Sequence, residues 1–123
     1  MSETVSDAIT AAYRDGLVPL IDAGRDAGLT YRQIDYWRTH GWIEAELRHR
    51  GDGALISDQM VITGNLVGTG YTAFIHESEI PHLRIMAALV RRGMNPRVAK
   101  DLADDVRQGP VDFGEGLRLT WTP

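Results

Sequence analysis

Apolar residues recur at helical spacing in three stretches of this chain, and alternation replaces that period in its middle. Val5, Ile9, Ala12 and Tyr13 predict a helix over 3–16, with Gly16 as its stop. Pro19 suits a first helical turn, so a short second helix is expected from Pro19 through Ala27, ended by Gly28. Thr30-Tyr31-Arg32-Gln33 has the form of a capping box and opens a third helix to His40, stopped at Gly41. Its apolar positions, Ile34 and Trp37, lie three apart on one face, which assigns Trp37 to the core. Trp42 reads as core as well.

Over 42–75 the helical period gives way to alternation and β-branching, and five of the thirteen glycines fall between 51 and 70. Strands are expected near 42–48, 54–62 and 71–75, joined by glycine-rich turns. Helix returns over 77–92, where Ile80, Leu83, Met86, Leu89 and Val90 make an apolar stripe ended by Gly93. Asn95-Pro96 restarts a helix that ends at Gly109-Pro110. The tail, 110–123, turns at Gly114-Glu115-Gly116 and carries an alternating strand from Leu117 to Trp121, expected to join the preceding sheet. With no internal repeat or linker, 1–123 reads as a single domain. It divides into an N-terminal helix at 3–16, a core at 18–106 and the tail.

Composition narrows the chemistry. The chain has 123 residues, 43% hydrophobic and 24% charged, with no cysteine. Such a length removes roughly two thirds of the unfolded surface from water. The missing thiols exclude disulfides, thiolate metal sites, Fe–S clusters and a cysteine nucleophile. His40, His49, His76 and His82 lack metal-ligand spacing, so no metal or other cofactor is expected. Gly64-Asn65-Leu66-Val67-Gly68-Thr69-Gly70 imitates a phosphate loop without its Lys-Ser/Thr, and reads as a turn. Glu77 and Glu79 suit a helix's first turn, and Asp104-Asp105 a solvated face. No enzyme is indicated. The N-terminus lacks a signal peptide's basic start and apolar centre, and no run reaches a membrane span. A cytoplasmic location without a membrane partner is the expectation.

The formal net charge is −4, yet residues 81–100 hold Arg84, Arg91, Arg92, Arg97 and Lys100 with no acid. A low overall charge does not forbid a local positive field. Two helices joined by a tight glycine turn, followed by a glycine and a β-hairpin, make a winged helix-turn-helix. Ala27-Gly28-Leu29-Thr30-Tyr31-Arg32-Gln33-Ile34-Asp35-Tyr36-Trp37-Arg38-Thr39-His40-Gly41-Trp42-Ile43 resembles the DNA-binding domain of the MerR family, nearest its phage-type and excisionase-like branch. Gly68-Thr69-Gly70, Glu79-Ile80 and the helix to Gly93 are similar to that family's second wing strand and third helix, and Asn95–Ala103 to its fourth. The resemblance implies a mainly α fold with a small β wing, here with an extra N-terminal helix and a short C-terminal strand.

A recognition helix needs exposed side chains near its N-terminus that reach base edges. Tyr31 and Arg32 are so placed. Tyr36 and Arg38 lie further along, suited to phosphates. Arg48 and Arg50, flanking His49, would sit at the wing, and the basic stretch from Arg84 through Arg91 and Arg92 would neutralise further phosphates. Two positions depart from the family pattern: Asp35 and Ala73 stand where many members carry a basic residue. The segment 51–70 exceeds the usual wing, and residues after 106 are too few for the family's long dimerisation helix and effector domain. The expected function is sequence-specific duplex DNA binding, in transcriptional regulation or as a recombination accessory factor. The implied partners are DNA, a second copy as homodimer or cooperative array, and an integrase or RNA polymerase. The rival is a protein-interaction adaptor that keeps the fold without binding DNA, favoured by Asp35, Ala73 and the acidic total.

Overall fold

The computed structural model describes residues 15–49, 55–56 and 71–123. It is a mixed α/β chain. Among the described residues there are four α-helices and two small antiparallel sheets. The elements divide into two compact units that alternate along the sequence. One takes Met1–Ala23 and Glu44–Glu77, the other Gly24–Ile43 and Ser78–Pro123. The helix expected over 3–16 and the segment containing Arg50 and Gly64–Gly70 lie outside the described residues, as does the end of the 54–62 strand.

The first unit carries a four-stranded sheet. Its strands are β1 (Leu17–Pro19), β2 (Glu46–His49), β3 (Leu55–Ile56) and β4 (Tyr71–His76), in the order β1-β4-β2-β3. Leu17 pairs with His76 and Pro19 with Phe74, while Glu46 pairs with Phe74 across β4 and His49 with Tyr71. Leu17 and Phe74 form its buried centre, and Leu47 and Ile75 are buried as well. β1 corrects the expectation that Pro19 opens a helix. Proline lacks an N–H, and an edge strand tolerates that loss, so Pro19 closes β1 and the helix begins one residue later.

That helix, α1 (Leu20–Asp26), starts in the first unit and ends in the second. The second unit continues with α2 (Tyr31–Thr39), a single 3₁₀ turn at Glu77–Glu79 on the boundary, α3 (Ile80–Arg91) and α4 (Pro96–Gln108). α2 buries Ile34 and Trp37, as its spacing requires, and Trp37 is only 2% exposed. Burying a large apolar side chain so completely stabilises by roughly 1.5–3 kcal/mol. α3 buries Leu83, Met86 and Leu89 from the expected stripe, together with Ile85 and Ala87, while Ile80 and Val90 are half-buried. α4 buries Ala99, Ala103 and Val106. Trp42 is half-buried rather than core. The strand expected from residue 42 begins at Glu46, because Trp42 and Ile43 donate their amides to the Trp37 carbonyl and finish α2 instead.

The tail corrects a second expectation. β5 (Val111–Gly114) pairs with β6 (Leu117–Leu119) as a two-stranded sheet of its own and adds no strand to the other. The loop residues Glu115 and Gly116 both have positive φ, 54° and 82°, the signature of a type I′ hairpin turn. The turn folds the tail back on Val111-Asp112, which becomes its partner. Leu117, at the start of that strand, is 65% exposed.

Candidate nucleic-acid interface

α2 is built for an exposed N-terminus. Thr30 caps it in both directions. The Thr30 amide donates to Gln33 Oε1 at 3.0 Å, and the Gln33 amide donates to Thr30 Oγ1 at 3.1 Å. No acid lies in the first turn, so the partial positive charge of the helix end is uncompensated there. Ile34 and Trp37 face inward, and the opposite face carries Tyr31, Arg32, Asp35, Tyr36 and Thr39, all exposed. Tyr31 is 63% exposed and Tyr36 53%.

The turn before α2 is fixed by glycines. Gly28 has φ +88°, its amide donates to the Arg25 carbonyl, and the Leu29 amide donates to Gly24, both at 2.9 Å. These two bonds form a Schellman motif, which ends α1 and redirects the chain. Gly24 then lets the helices approach. A methyl group built there would lie 2.4 Å from Ile34 Cδ1 and 2.6 Å from Cγ1. A glycine inside a helix costs about 1 kcal/mol relative to alanine, which is itself a legible sign that backbone must come close.

The chain matches no protein-family model, no curated protein and no solved structure.

The cations singled out from the sequence have unlike surroundings. Arg32 is exposed on α2. Arg38 turns to Asp35, Nη2 to Oδ1 at 3.2 Å, and its side chain is 20% exposed. Arg48, on β2, lies between two carboxylates, 2.8 Å from Asp15 and 3.1 Å from Glu46. Its side chain is 17% exposed, so its charge is largely compensated within the fold. Arg84 is exposed on α3. Arg91, at the end of α3, donates through Nη1 to the Ala27 carbonyl in the turn before α2. Arg92 donates to Ala88 at 2.9 Å along its own helix. The sequence assigned Arg38 to phosphates, although Asp35 stands three residues away on the same helix face and was there to be read as its partner; nothing in the sequence signals Arg91, 64 residues from its acceptor.

Around the end of α2 three rings gather, of which His40 and Trp42 are stacked. His40 lies 4.0 Å from Tyr36 and 4.8 Å from Trp42 between centroids, and Trp42 meets Tyr36 edge-on at 5.6 Å. His40 Nδ1 is 2.8 Å from the Tyr36 carbonyl. Tyr36 is therefore held by neighbours while remaining exposed. His82 has a structural role: its Nε2 lies 3.0 Å from the Lys100 carbonyl and 3.1 Å from Asp104, and both are acceptors, so that nitrogen donates and ties α3 to α4. Arg107 likewise joins α4 to Glu79 at 3.3 Å and to the Ser78 carbonyl. Among the described residues no three His, Asp or Glu side chains gather as a metal site, and no helix is long and apolar enough to cross a membrane.

Proposed function

We propose that this chain is a MerR-like winged helix-turn-helix protein that binds duplex DNA sequence-specifically through α2. It would act as a transcriptional regulator or an accessory factor in phage-type recombination. The observation that carries the reading is the outward row of α2. An acid-free, doubly capped N-terminus presents Tyr31 and Arg32 beside Tyr36, opposite a face buried through Ile34 and Trp37. Such a helix end can enter a major groove, where an arginine bonds bidentately to guanine. Arg84 and Arg92 supply cations for phosphates, and Arg50 is assigned to the same task from the sequence.

The adaptor reading has one observation of its own. Arg38 and Arg48 are both engaged by carboxylates of this chain, which reduces what they offer a phosphate.

Fluorescence anisotropy separates the two, with a duplex selected from a random pool and a scrambled duplex of equal length. Arg32→Ala should cost about 1–3 kcal/mol on the selected duplex and less on the scrambled one. Wild-type protein that binds neither duplex at low salt would establish the adaptor reading instead.

A further inference from the structure

We infer that Arg91 is a positioning residue for the recognition helix: it clamps the turn between α1 and α2 rather than holding a DNA phosphate. The inference deepens the DNA-binding reading and rests on it for its functional consequence, but not for the clamp itself.

The geometry begins with the end of α1. A Schellman motif satisfies the carbonyls three and two residues before the cap, here Gly24 and Arg25. It leaves the Ala27 carbonyl without an intrahelical donor. Arg91 Nη1 meets that carbonyl from α3. The guanidinium lies directly over the turn, since a methyl group built on Gly28 would come within 2.5 Å of Nη1 and 3.5 Å of Cζ. Glycine at 28 therefore has two causes, its φ of +88° and the space the guanidinium occupies.

The next two residues connect this clamp to reading. Leu29 is buried, and Thr30 is the cap whose Oγ1 receives the Gln33 amide. Tyr31 and Arg32 follow at once. Any shift of the Ala27 carbonyl moves the cap and, with it, the direction in which Arg32 leaves the helix. A phosphate ligand acts differently, since phosphate contacts add affinity for every sequence and contribute to the salt dependence. Among the described residues, neither Arg84 nor Arg92 bonds to that turn. Arg84 is exposed and Arg92 bonds within α3, so one helix supplies both the proposed clamp and its controls.

The test uses Arg91→Met, Arg91→Lys and Arg84→Met in the full chain. In the free protein, Arg91→Met should raise amide exchange at Gly28 and Leu29 about tenfold, the scale of one hydrogen bond, and Arg84→Met should leave it unchanged. Arg91→Lys, which keeps a donor, should restore much of the protection. On the selected duplex Arg91→Met should weaken binding about tenfold, with scrambled-duplex affinity and salt slope near wild type. Equal losses on both duplexes, with a slope lower by about one, would make Arg91 a phosphate ligand and overturn the proposal. Unchanged exchange at Gly28 and Leu29 would overturn the clamp outright. Should wild-type protein bind no duplex, the DNA-binding reading fails, and the exchange arm still decides whether Arg91 holds the turn.

Discussion

The turn between α1 and α2 and the turn between α3 and α4 follow the same residue pattern and differ in what lies over them. Each has a left-handed glycine, an apolar residue and then a cap: Gly28-Leu29-Thr30 in the first, Gly93-Met94-Asn95 in the second. Each glycine donates to the carbonyl three residues back and each apolar residue to the one five back, at 2.9 to 3.1 Å. The local chemistry is thus the same twice. Around it, Gly28 lies under Arg91 and Leu29 is buried, whereas among the described residues nothing stands within 4 Å of a methyl group built on Gly93, and Met94 is half-buried. Turn sequence fixes the path of the backbone, and tertiary contact fixes how rigidly the next helix is held. The turn that leads into the exposed row of α2 is the clamped one.

The largest difference between the turns should come from their glycines. Gly93→Ala forces a side chain into the left-handed region at φ +99°, which costs about 1–2 kcal/mol. Gly28→Ala incurs the same strain at +88° and also displaces the Arg91 guanidinium from Ala27, for a total of about 3 kcal/mol. Urea unfolding of the two variants measures the gap. Equal losses would mean that the clamp adds nothing to the first turn.

A middle-sized effect is expected one helical turn earlier. The carbonyls that accept from Leu29 and Met94 belong to Gly24 and Leu89, the smallest and one of the largest apolar choices at corresponding positions. Leu89 is buried in its own right, while Gly24 is open to Ile34. Gly24→Ala gains helix propensity but overpacks against Ile34, and should lose about 2 kcal/mol. The double variant Gly24→Ala, Ile34→Val removes the terminal methyl that lies 2.4 Å away and should recover part of that loss. A stabilised Gly24→Ala single variant would show that the helices do not need their close approach.

The same contrast explains how much was legible in the sequence. The capping box at Thr30, the glycine stops at 28, 41 and 93 and the Asn95-Pro96 restart depend on residues within a few positions of one another, and pattern reading locates them. The inward pair Ile34 and Trp37 follows from helical spacing for the same reason. Long-range choices were not legible. Arg91 belongs by composition to a basic stretch, and only the fold brings it to Ala27. Asp15 reaches Arg48 across 33 residues, although Glu46, two positions away on the same strand face, was there to be read. The tail's strand was visible as alternation, but alternation does not name a partner, and a two-residue turn made Val111-Asp112 the nearest one. Pro19 shows the competing effect: it is equally at home in a first helical turn and on a strand edge, and the pairing with Phe74 decided it.

The smallest effect should separate the two caps. Thr30→Ala removes the acceptor of the Gln33 amide, and Asn95→Ala removes that of the Arg97 amide at 2.9 Å. Either loss should cost about 1 kcal/mol, so unfolding alone will not tell them apart. Their consequences for binding should. In α4 the first helical residue is Pro96, which has no N–H, and Val98 offers no side-chain acceptor, so Asn95 is the whole of that cap. In α2 the Gln33 side chain still receives the amide of residue 30 after Thr30→Ala, and the helix persists with a loosened first turn. That turn carries Tyr31 and Arg32, whose amides have no intrahelical acceptor and whose side chains face outward. Thr30→Ala should therefore weaken binding to the selected duplex severalfold and leave the scrambled duplex nearly unchanged, while Asn95→Ala should alter neither. A loss of selective binding in Asn95→Ala as large as that in Thr30→Ala would remove α2 from its special place and make the two helical turns equivalent in function as well as in sequence.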